Sequence, residues 1–200
     1  PYLGSKQDWD KLVREAKALG IKVILDGVFN HTSSDSPLFD RYHNFASVGA
    51  CESLASTYRS WYTFRPPSGL EPAPCAGGTN YQSWAGFDSL PQLTETAAVK
   101  SYVYGVSADW LNAGAEGWRL DVMQEKSLDF WRGFRSRVYQ AKPDTIIIGD
   151  GSISMKDETY DLRLRPRPKD RSLFSFRAPL LVDGTFRDPL FRPDMKRVGL

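Results

Sequence analysis

The sequence contains little sulfur and little histidine. Its 200 residues include two cysteines, two histidines and three methionines, and no Cys/His spacing typical of a zinc site occurs among them. It also lacks any run of about 18 or more apolar residues, so it predicts no transmembrane helix and no membrane partner. Neither a Gly-x-x-x-x-Gly-Lys phosphate loop nor a Gly-x-Gly-x-x-Gly fingerprint is present.

The composition that remains is that of an ordinary globular protein. Hydrophobic residues make up 41% of the chain, charged residues 25% and aromatic residues 13%. This mixture argues against a disordered or collagen-like chain, and the length suffices to bury a hydrophobic core. The chain begins at Pro1 and has no signal-peptide pattern, so we expect either a removed N-terminus or a piece of something longer.

The net charge of +2 is unevenly distributed. Residues 161–200 contain ten basic and five acidic residues, a balance of +5, so residues 1–160 carry the remaining −3. A shift of this size is typical of a domain or linker boundary. The basic stretch is either a solvated tail or a nucleic-acid-binding arm. Its five prolines and five acids interrupt the basic face, which favours the solvated tail and no nucleic-acid partner.

Hydrophobic periodicity predicts helices and short strands in alternation. In chain order the predicted elements are a helix at about 6–19 with a capping box at its start, a strand at 21–26, a helix at about 94–113, a strand at 116–122, a helix capped by Ser127 and a strand at 145–150. The stretch of about 27–93 is rich in Ser, Gly, Pro and aromatic residues. Structureless loops of that length are uncommon, so we interpret it as an inserted, loop-rich subdomain.

The predicted strands share an acidic carboxyl end. Strands separated by single helices imply a parallel sheet and an α/β fold. Asp26, Asp121 and Asp150 stand at or near the ends of the three strands, at the edge where such folds build their sites. A lone aspartate there can equally cap a helix or accept a loop hydrogen bond. Arg119 lies two residues before Asp121 and therefore on the same face, either as a catalytic partner or as a structural ion pair.

Carboxylates that converge at one strand edge suit acid–base and nucleophilic chemistry. Glycoside hydrolysis needs a pair of them, one ionised to attack the anomeric carbon and one protonated to give a proton to the leaving oxygen. An arginine beside the attacking carboxylate would stabilise its charged form. Glycoside hydrolysis is therefore one of the reactions that such a pattern would serve.

Four segments form an ordered set of motifs. They are residues 26–31 (Asp-Gly-Val-Phe-Asn-His), 90–93 (Leu-Pro-Gln-Leu), 117–122 (Gly-Trp-Arg-Leu-Asp-Val) and 147–150 (Ile-Ile-Gly-Asp). In this order and spacing they resemble the first signature, the motif before the third barrel helix, and the second and third signatures of the α-amylase family, glycoside hydrolase family thirteen. The second signature and residues 61–64 (Trp-Tyr-Thr-Phe) look most like the neopullulanase, cyclomaltodextrinase and amylopullulanase branch.

The resemblance implies a (β/α)8 TIM barrel and a retaining mechanism on α-glucans such as starch, pullulan or maltooligosaccharides. By this resemblance, the catalytic residues would be Asp121 as nucleophile, Arg119 as its partner and Asp150 as acid/base. The substrate-binding residues would be His31, Asp26, Trp61 and Tyr62. Asn30 would be a tentative calcium ligand. The aromatic residues of the insertion have an alternative interpretation, which is that they form the core of the subdomain itself.

Two departures from the family pattern affect the expected activity. The family's general acid is Glu, and the shorter Asp150 would hold its carboxyl back by about one C–C bond. Misplacement by about 1 Å can cost on the order of 10²-fold in rate. The fourth signature, a His-Asp pair, is missing, because neither His31 nor His43 is followed by Asp. An alternative is therefore a non-catalytic, amylase-like carbohydrate-binding or interaction protein.

We expect residues 1–150 to form a partial catalytic barrel of about three βα units, and residues 151–200 to be an unmatched Arg/Pro-rich tail. A barrel of this family needs about 250 residues, so we expect the chain to have no activity alone. Cys51 and Cys75, both in the insertion, form either a disulfide or two free buried thiols. A disulfide would favour an extracellular or periplasmic location. Calcium is the only cofactor considered, and no oligomeric state is predicted.

Overall fold

The computed structural model describes residues 4–65, Cys75 and residues 80–150. The predicted tail at 151–200 lies outside the described residues. The elements are α1 (Lys6–Ala18), β1 (Ile24–Gly27), α2 (Ala97–Asn112), β2 (Gly117–Leu120), α3 (Leu128–Ala141) and β3 (Ile146–Gly149), with single 3₁₀ turns at Arg59–Trp61, Trp84–Gly86 and Met123–Glu125. In the described part of the chain, no helix is both long and apolar enough to cross a membrane.

The three strands form one parallel sheet in the order β1-β2-β3. Asp26 on β1 pairs in register with Arg119 on β2, and Arg119 pairs with Ile148 on β3. Because all three strands run in the same direction, their carboxyl ends meet at one edge of the sheet. This arrangement confirms the predicted α/β fold.

Local hydrogen bonds explain where two of the helices begin. The Ser5 hydroxyl accepts from the Asp8 N–H while the Asp8 carboxylate accepts from the Ser5 N–H at 2.7 Å, which is the predicted capping box. The Ser127 hydroxyl accepts from the Phe130 N–H at 3.1 Å and caps α3. The buried face of α3 consists of Phe130, Trp131, Phe134 and Val138.

The contacts divide the described chain into two compact units. We call residues 4–27 and 103–150 the strand unit, since it contains β1, β2 and β3. We call residues 28–102 the loop unit; it begins close to the start of the predicted insertion and continues into the first turns of α2.

The loop unit has an aromatic core and a disulfide. Phe39 is fully buried and makes ring contacts with Tyr62, Phe64 and Tyr81 at centroid distances of 4.8, 6.0 and 4.7 Å. Cys51 and Cys75 are bonded to each other, with their Cα atoms 5.1 Å apart and 24 positions apart in the chain. Of the two interpretations that the sequence left open for these cysteines, the structure has the disulfide.

Candidate active site

One arginine gathers three carboxylates at the carboxyl edge of the sheet. Arg119 Nη1 lies 2.7 Å from Asp26 Oδ1 and 2.9 Å from Asp121 Oδ1, while Arg119 Nη2 contacts Asp150 Oδ2. We call these four residues the Arg119 cluster. The contact to Asp26 is a charge-assisted hydrogen bond and those to Asp121 and Asp150 are ion pairs, so one guanidinium faces all three acids.

The strand register explains why these residues meet. Asp26 is the partner of Arg119 in the sheet, and Asp121 lies two residues after Arg119, on the same face. Asp150 follows the last residue of β3. The side chain of Asp26 is 56% exposed and that of Asp150 only 15%, so solvent reaches the cluster from the β1 side.

The chain bends sharply directly after Asp121. Val122 has φ 40° and ψ 47°, a left-handed conformation that costs energy for a β-branched residue. The next residue, Met123, donates its N–H to the carbonyl of Asp150 at 3.0 Å, and its own carbonyl accepts from the Trp131 indole at 2.7 Å. A side chain at Gly149 would collide with the Met123 sulfur. These contacts fix the turn that carries Asp121 against the end of β3.

Asn30 and His31 belong to the loop unit and are held by a different set of contacts. Asn30 is buried; its Oδ1 accepts from Gln92 Nε2 at 3.0 Å, and its Nδ2 lies 3.5 Å from His31 Nδ1. The His31 ring stacks on Trp84 with 5.2 Å between centroids and 21° between planes. Gln92 was not predicted as a functional residue, although it stands in the Leu-Pro-Gln-Leu motif and could have been found there.

Trp61 and Tyr62 lie inside the loop unit. They are 8% and 3% exposed, and Tyr62 packs edge-on against Phe39. Burial raises the pKa of the Tyr62 hydroxyl well above its usual range, and that hydroxyl is hydrogen-bonded to Thr32 Oγ1 at 2.9 Å. These positions favour the second interpretation of the two aromatic residues, a subdomain core, over a sugar-binding role.

The described residues do not fit a calcium site at Asn30. Calcium takes six to eight oxygen ligands, most of them carboxylates and carbonyls. The side-chain oxygen of Asn30 already accepts one hydrogen bond from Gln92 Nε2, and its carbonyl accepts one from the Leu93 N–H at 2.9 Å. Within residues 4–65, 75 and 80–150, no three His, Cys, Asp or Glu side chains converge as a metal site requires.

The sequence-predicted residues thus fall into two groups. Asp26, Arg119, Asp121 and Asp150 come together in the strand unit. Asn30 and His31 are neighbours in the loop unit, where Trp61 and Tyr62 belong to the core. In the first group, three carboxylates surround the Arg119 guanidinium. In the second, the Asn30 amide and the Trp84 indole contact the His31 imidazole.

The sequence matches a known family model over most of its length. The model is described as "Alpha amylase, catalytic domain" and covers residues 1–183, so the match extends beyond Asp150 into the stretch that our sequence analysis left unmatched.

The chain is also similar to named relatives. It is 35% identical over 185 residues to an amylopullulanase of Thermoanaerobacterium saccharolyticum, a match that covers 79% of this chain and 14% of that protein. It is 36% identical over 152 residues to neopullulanase 2 of Thermoactinomyces vulgaris, which covers 75% of this chain and 24% of that protein. The chain therefore spans less than a quarter of the length of these relatives.

A solved structure with the same fold is the acarbose-soaked debranching enzyme of Nostoc punctiforme. It superposes with a TM-score of 0.64 at 32% sequence identity, over 78% of this chain and 32% of that one.

Proposed function

Since the chain belongs to the α-amylase family and forms part of its (β/α)8 catalytic barrel, we propose that it hydrolyses α-glucosidic bonds. The proposed substrates are starch, pullulan or maltooligosaccharides, in line with the names of its amylopullulanase and neopullulanase relatives. The observation that carries the proposal is the Arg119 cluster. The three carboxylates around one guanidinium, at the carboxyl edge of parallel strands, include the two that a retaining glycosidase needs.

The proposed reaction proceeds by double displacement. A carboxylate oxygen of Asp121 bonds to the anomeric carbon as the glycosidic C–O bond breaks, and the departing oxygen takes the proton of the Asp150 carboxyl group. A water molecule then attacks the same carbon, passes a proton to Asp150 and releases Asp121. Two inversions give net retention at the anomeric carbon.

Arg119 is the proposed orienting residue for this sequence of steps. Its Nη1 forms an ion pair with Asp121 Oδ1 at 2.9 Å, and the second carboxylate oxygen of Asp121 is the one proposed to attack the sugar. The same nitrogen holds Asp26 at 2.7 Å, and Asp26 thereby supports the position of the guanidinium. His31 is proposed to donate a hydrogen bond to the sugar at the cleavage site.

A second candidate function is α-glucan binding without hydrolysis. The contact between Arg119 Nη2 and Asp150 supports it, because an arginine partner favours the carboxylate over the proton-bearing acid that the first step requires. The side chain of Asp150 is also one carbon shorter than the family's Glu. Both features would weaken proton donation, which sugar binding does not require.

The two functions are separated by assaying the complete product of the gene, with Asp121→Asn, Asp150→Glu and the exposed Asp144→Asn as control. For hydrolysis of maltooligosaccharides we expect Asp121→Asn to cost about 10⁴-fold, as loss of a nucleophile does, and Asp144→Asn to cost nothing. Asp150→Glu moves the carboxyl forward and should raise the rate by up to about 10²-fold. Unchanged hydrolysis in Asp121→Asn would refute the enzymatic proposal, whereas glucan binding with no hydrolysis in any variant would establish the second function.

An α-glucosyl fluoride tests the proton-donating step separately. Fluoride leaves the anomeric carbon without needing a proton, so the first step releases it without proton donation by Asp150. We expect the protein with Asp150 to cleave this fluoride far faster than maltooligosaccharides. In Asp150→Glu the ratio of these two rates should be smaller. If the ratio of the two rates is the same in both proteins, Asp150 is not the proton donor.

For the 200-residue chain by itself we propose no turnover, because a barrel of this kind has eight strands and usually about 250 residues, and the part of the chain that the structure describes contributes three strands. Detectable hydrolysis by the purified chain would overturn that proposal.

The disulfide between Cys51 and Cys75 supports an oxidising compartment, extracellular or periplasmic, as the proposed location.

A further inference from the structure

Three side-chain amides of the loop unit are hydrogen-bonded in a row that ends at His31. Gln82 Nε2 donates to Gln92 Oε1 at 2.9 Å, and Gln92 Nε2 donates to Asn30 Oδ1 at 3.0 Å. Asn30 Nδ2 then lies 3.5 Å from His31 Nδ1. We call this row of Gln82, Gln92 and Asn30 the amide chain.

The amide chain has a direction. Each amide carries one oxygen that only accepts and one nitrogen that only donates. Once Gln82 donates to the oxygen of Gln92, the nitrogen of Gln92 faces the oxygen of Asn30, and the nitrogen of Asn30 faces the ring. Reversing any one amide would therefore place two donors or two acceptors against each other unless the others reversed as well.

Backbone contacts hold the members of the amide chain in place. Gln92 N–H donates to the Gln82 carbonyl at 2.9 Å, and Leu93 N–H donates to the Asn30 carbonyl at 2.9 Å. His31 forms an antiparallel bridge with Gln92, and Trp84 stacks on the His31 ring. The plane of the imidazole is therefore set, and the remaining freedom is which ring nitrogen carries the proton.

We infer that Gln82 and Gln92 are positioning residues that set the proton of neutral His31 on Nε2. Because Asn30 Nδ2 is a donor, His31 Nδ1 must accept, and the single proton of the neutral ring then resides on the other nitrogen. This inference deepens the proposed function and its catalytic meaning rests on it. A ring protonated at Nε2 can donate a hydrogen bond from that atom, which is the role proposed for His31 toward the sugar, whereas a ring protonated at Nδ1 has only an acceptor at Nε2.

Substituting glutamate for a glutamine of the amide chain should reverse the direction of the hydrogen bonds that lead to His31. In Gln92→Glu both side-chain oxygens accept, so Asn30 turns its Nδ2 toward position 92 and its Oδ1 toward His31. In Gln82→Glu the carboxylate accepts from Gln92 Nε2, and Gln92 then presents its oxygen to Asn30. Asn30 again turns its Nδ2 toward Gln92 and its Oδ1 toward His31. In either variant His31 Nδ1 meets an acceptor and must carry the proton.

The tautomer can be read directly by NMR on the full 200-residue chain labelled with ¹⁵N-histidine. The chain contains only His31 and His43, so His43→Asn assigns the two rings. Two-bond ¹H–¹⁵N spectra recorded at about pH 8.5, about two units above the ordinary histidine pKa, show which nitrogen of each neutral ring is protonated. The exposed Gln140→Glu variant on α3 is the matched control, because it makes the same substitution outside the amide chain.

We expect mostly Nε2–H for His31 in the unaltered chain and in Gln140→Glu, and mostly Nδ1–H in Gln92→Glu and Gln82→Glu. Near-ultraviolet circular dichroism checks that each variant retains its fold. Gln82 is exposed, so if Gln92→Glu does not fold, the Gln82→Glu variant alone tests whether the amide chain sets the His31 tautomer. The inference is overturned if His31 is Nδ1–H in the unaltered chain, or if a folded glutamate variant of the amide chain keeps Nε2–H.

Hydrolysis by the complete gene product distinguishes failure of this inference from failure of the proposed function. A Gln82→Glu variant with reversed tautomer and a lower kcat, but an unchanged fold, supports both. A reversed tautomer with unchanged hydrolysis leaves the amide chain established and removes His31 from the proposed mechanism. Glucan binding without hydrolysis in the unaltered protein refutes the mechanism, and the NMR result is unaffected by it.

Discussion

At the scale of single residues, Arg119 determines the electrostatics of the strand edge. Its guanidinium contacts Asp26, Asp121 and Asp150. Without it, three like charges would lie side by side in a partly buried site, where mutual repulsion and lost hydrogen bonds both act against folding. The arginine therefore contributes to stability as well as to the proposed chemistry.

Replacing Arg119 by Met tests this contribution. We expect Arg119→Met to lower the free energy of unfolding of the strand unit by about 2 kcal/mol at pH 7, because the charge-assisted hydrogen bonds disappear and the carboxylates repel one another. Urea unfolding of the full chain, followed by far-ultraviolet circular dichroism, measures the change. The exposed Arg132→Met on α3 is the control, with an expected change below about 0.5 kcal/mol. Equal losses in the two variants would contradict the role assigned to Arg119.

Tyr62 makes the stability of the loop unit sensitive to alkaline pH. Burial raises the pKa of its hydroxyl above the ordinary value of 10.0 in the folded chain, whereas the unfolded chain has the ordinary value. Above about pH 10 the unfolded state loses a proton that the folded state keeps, so stability falls as pH rises, by up to about 1.4 kcal/mol per pH unit. The contribution is complete below pH 10 and is lost above it.

The Tyr62→Phe variant should lose less stability than the unaltered chain between pH 10 and pH 11. Its stability at pH 8 should be lower by about 1 kcal/mol, because the hydrogen bond to Thr32 is removed. Urea midpoints at pH 8, 10 and 11, read from tryptophan fluorescence, give both numbers. Tyr42→Phe, at an exposed position, should keep the alkaline loss of the unaltered chain. If the two variants lose the same stability, Tyr62 is not the group responsible.

At the scale of secondary-structure elements, local signals placed the helices well and the strands less well. The capping box and Ser127 start α1 and α3 where the sequence predicts. The first strand was predicted to begin at Ile21, but β1 begins at Ile24, and Ile21 is exposed. A strand exists only where a partner strand pairs with it, so its limits depend on residues distant in sequence.

The apolar stripe of α1 is likewise only partly buried in the described chain. Ala16 is buried, and Trp9 donates its indole N–H to the carbonyl of Ala113 at 2.9 Å, but Leu19 is 76% exposed. Periodicity predicts which face of a helix is apolar, and the neighbouring elements decide how much of that face is covered.

The cap of α3 gives a prediction at this scale. Ser127→Ala should destabilise the strand unit by about 1 kcal/mol, since the Phe130 N–H loses its acceptor at the helix start. Ser127→Gly should cost only a few tenths of a kcal/mol, because glycine leaves that N–H accessible to water. Thermal or urea unfolding of the two variants measures the difference. A glycine variant as unstable as the alanine variant would mean that the side chain acts by packing and not as a cap.

At the scale of the whole molecule, the chain consists of two units with different sources of stability. The strand unit depends on a parallel sheet and the apolar face of α3, whereas the loop unit has short 3₁₀ turns, an aromatic core and a disulfide. A disulfide across 24 positions stabilises by about 3 kcal/mol on a chain-entropy estimate. The loop unit should therefore respond to reduction more strongly than the strand unit.

Hydrogen exchange followed by mass spectrometry tests that difference. After reduction of Cys51 and Cys75, we expect exchange to accelerate by about 10²-fold in peptides of the loop unit, which corresponds to about 3 kcal/mol. Peptides containing β2 and α3 should keep their protection. The Cys51→Ser/Cys75→Ser double variant should reproduce the reduced chain without a reducing agent. Acceleration of equal size in both units would show that the two behave as one cooperative body.

The sequence by itself determined the class of fold, the family and the position of the aspartates at the strand ends. Those properties follow from short-range patterns, namely apolar spacing, capping residues and contiguous motifs, which can be read within about twenty positions. Only the tertiary structure decided that Arg119 reaches Asp26 across 93 positions and that Gln92 reaches Asn30 across 62. It also decided that Trp61 and Tyr62 are core residues. These outcomes depend on which segments pack together, and spacing along the chain does not contain that information.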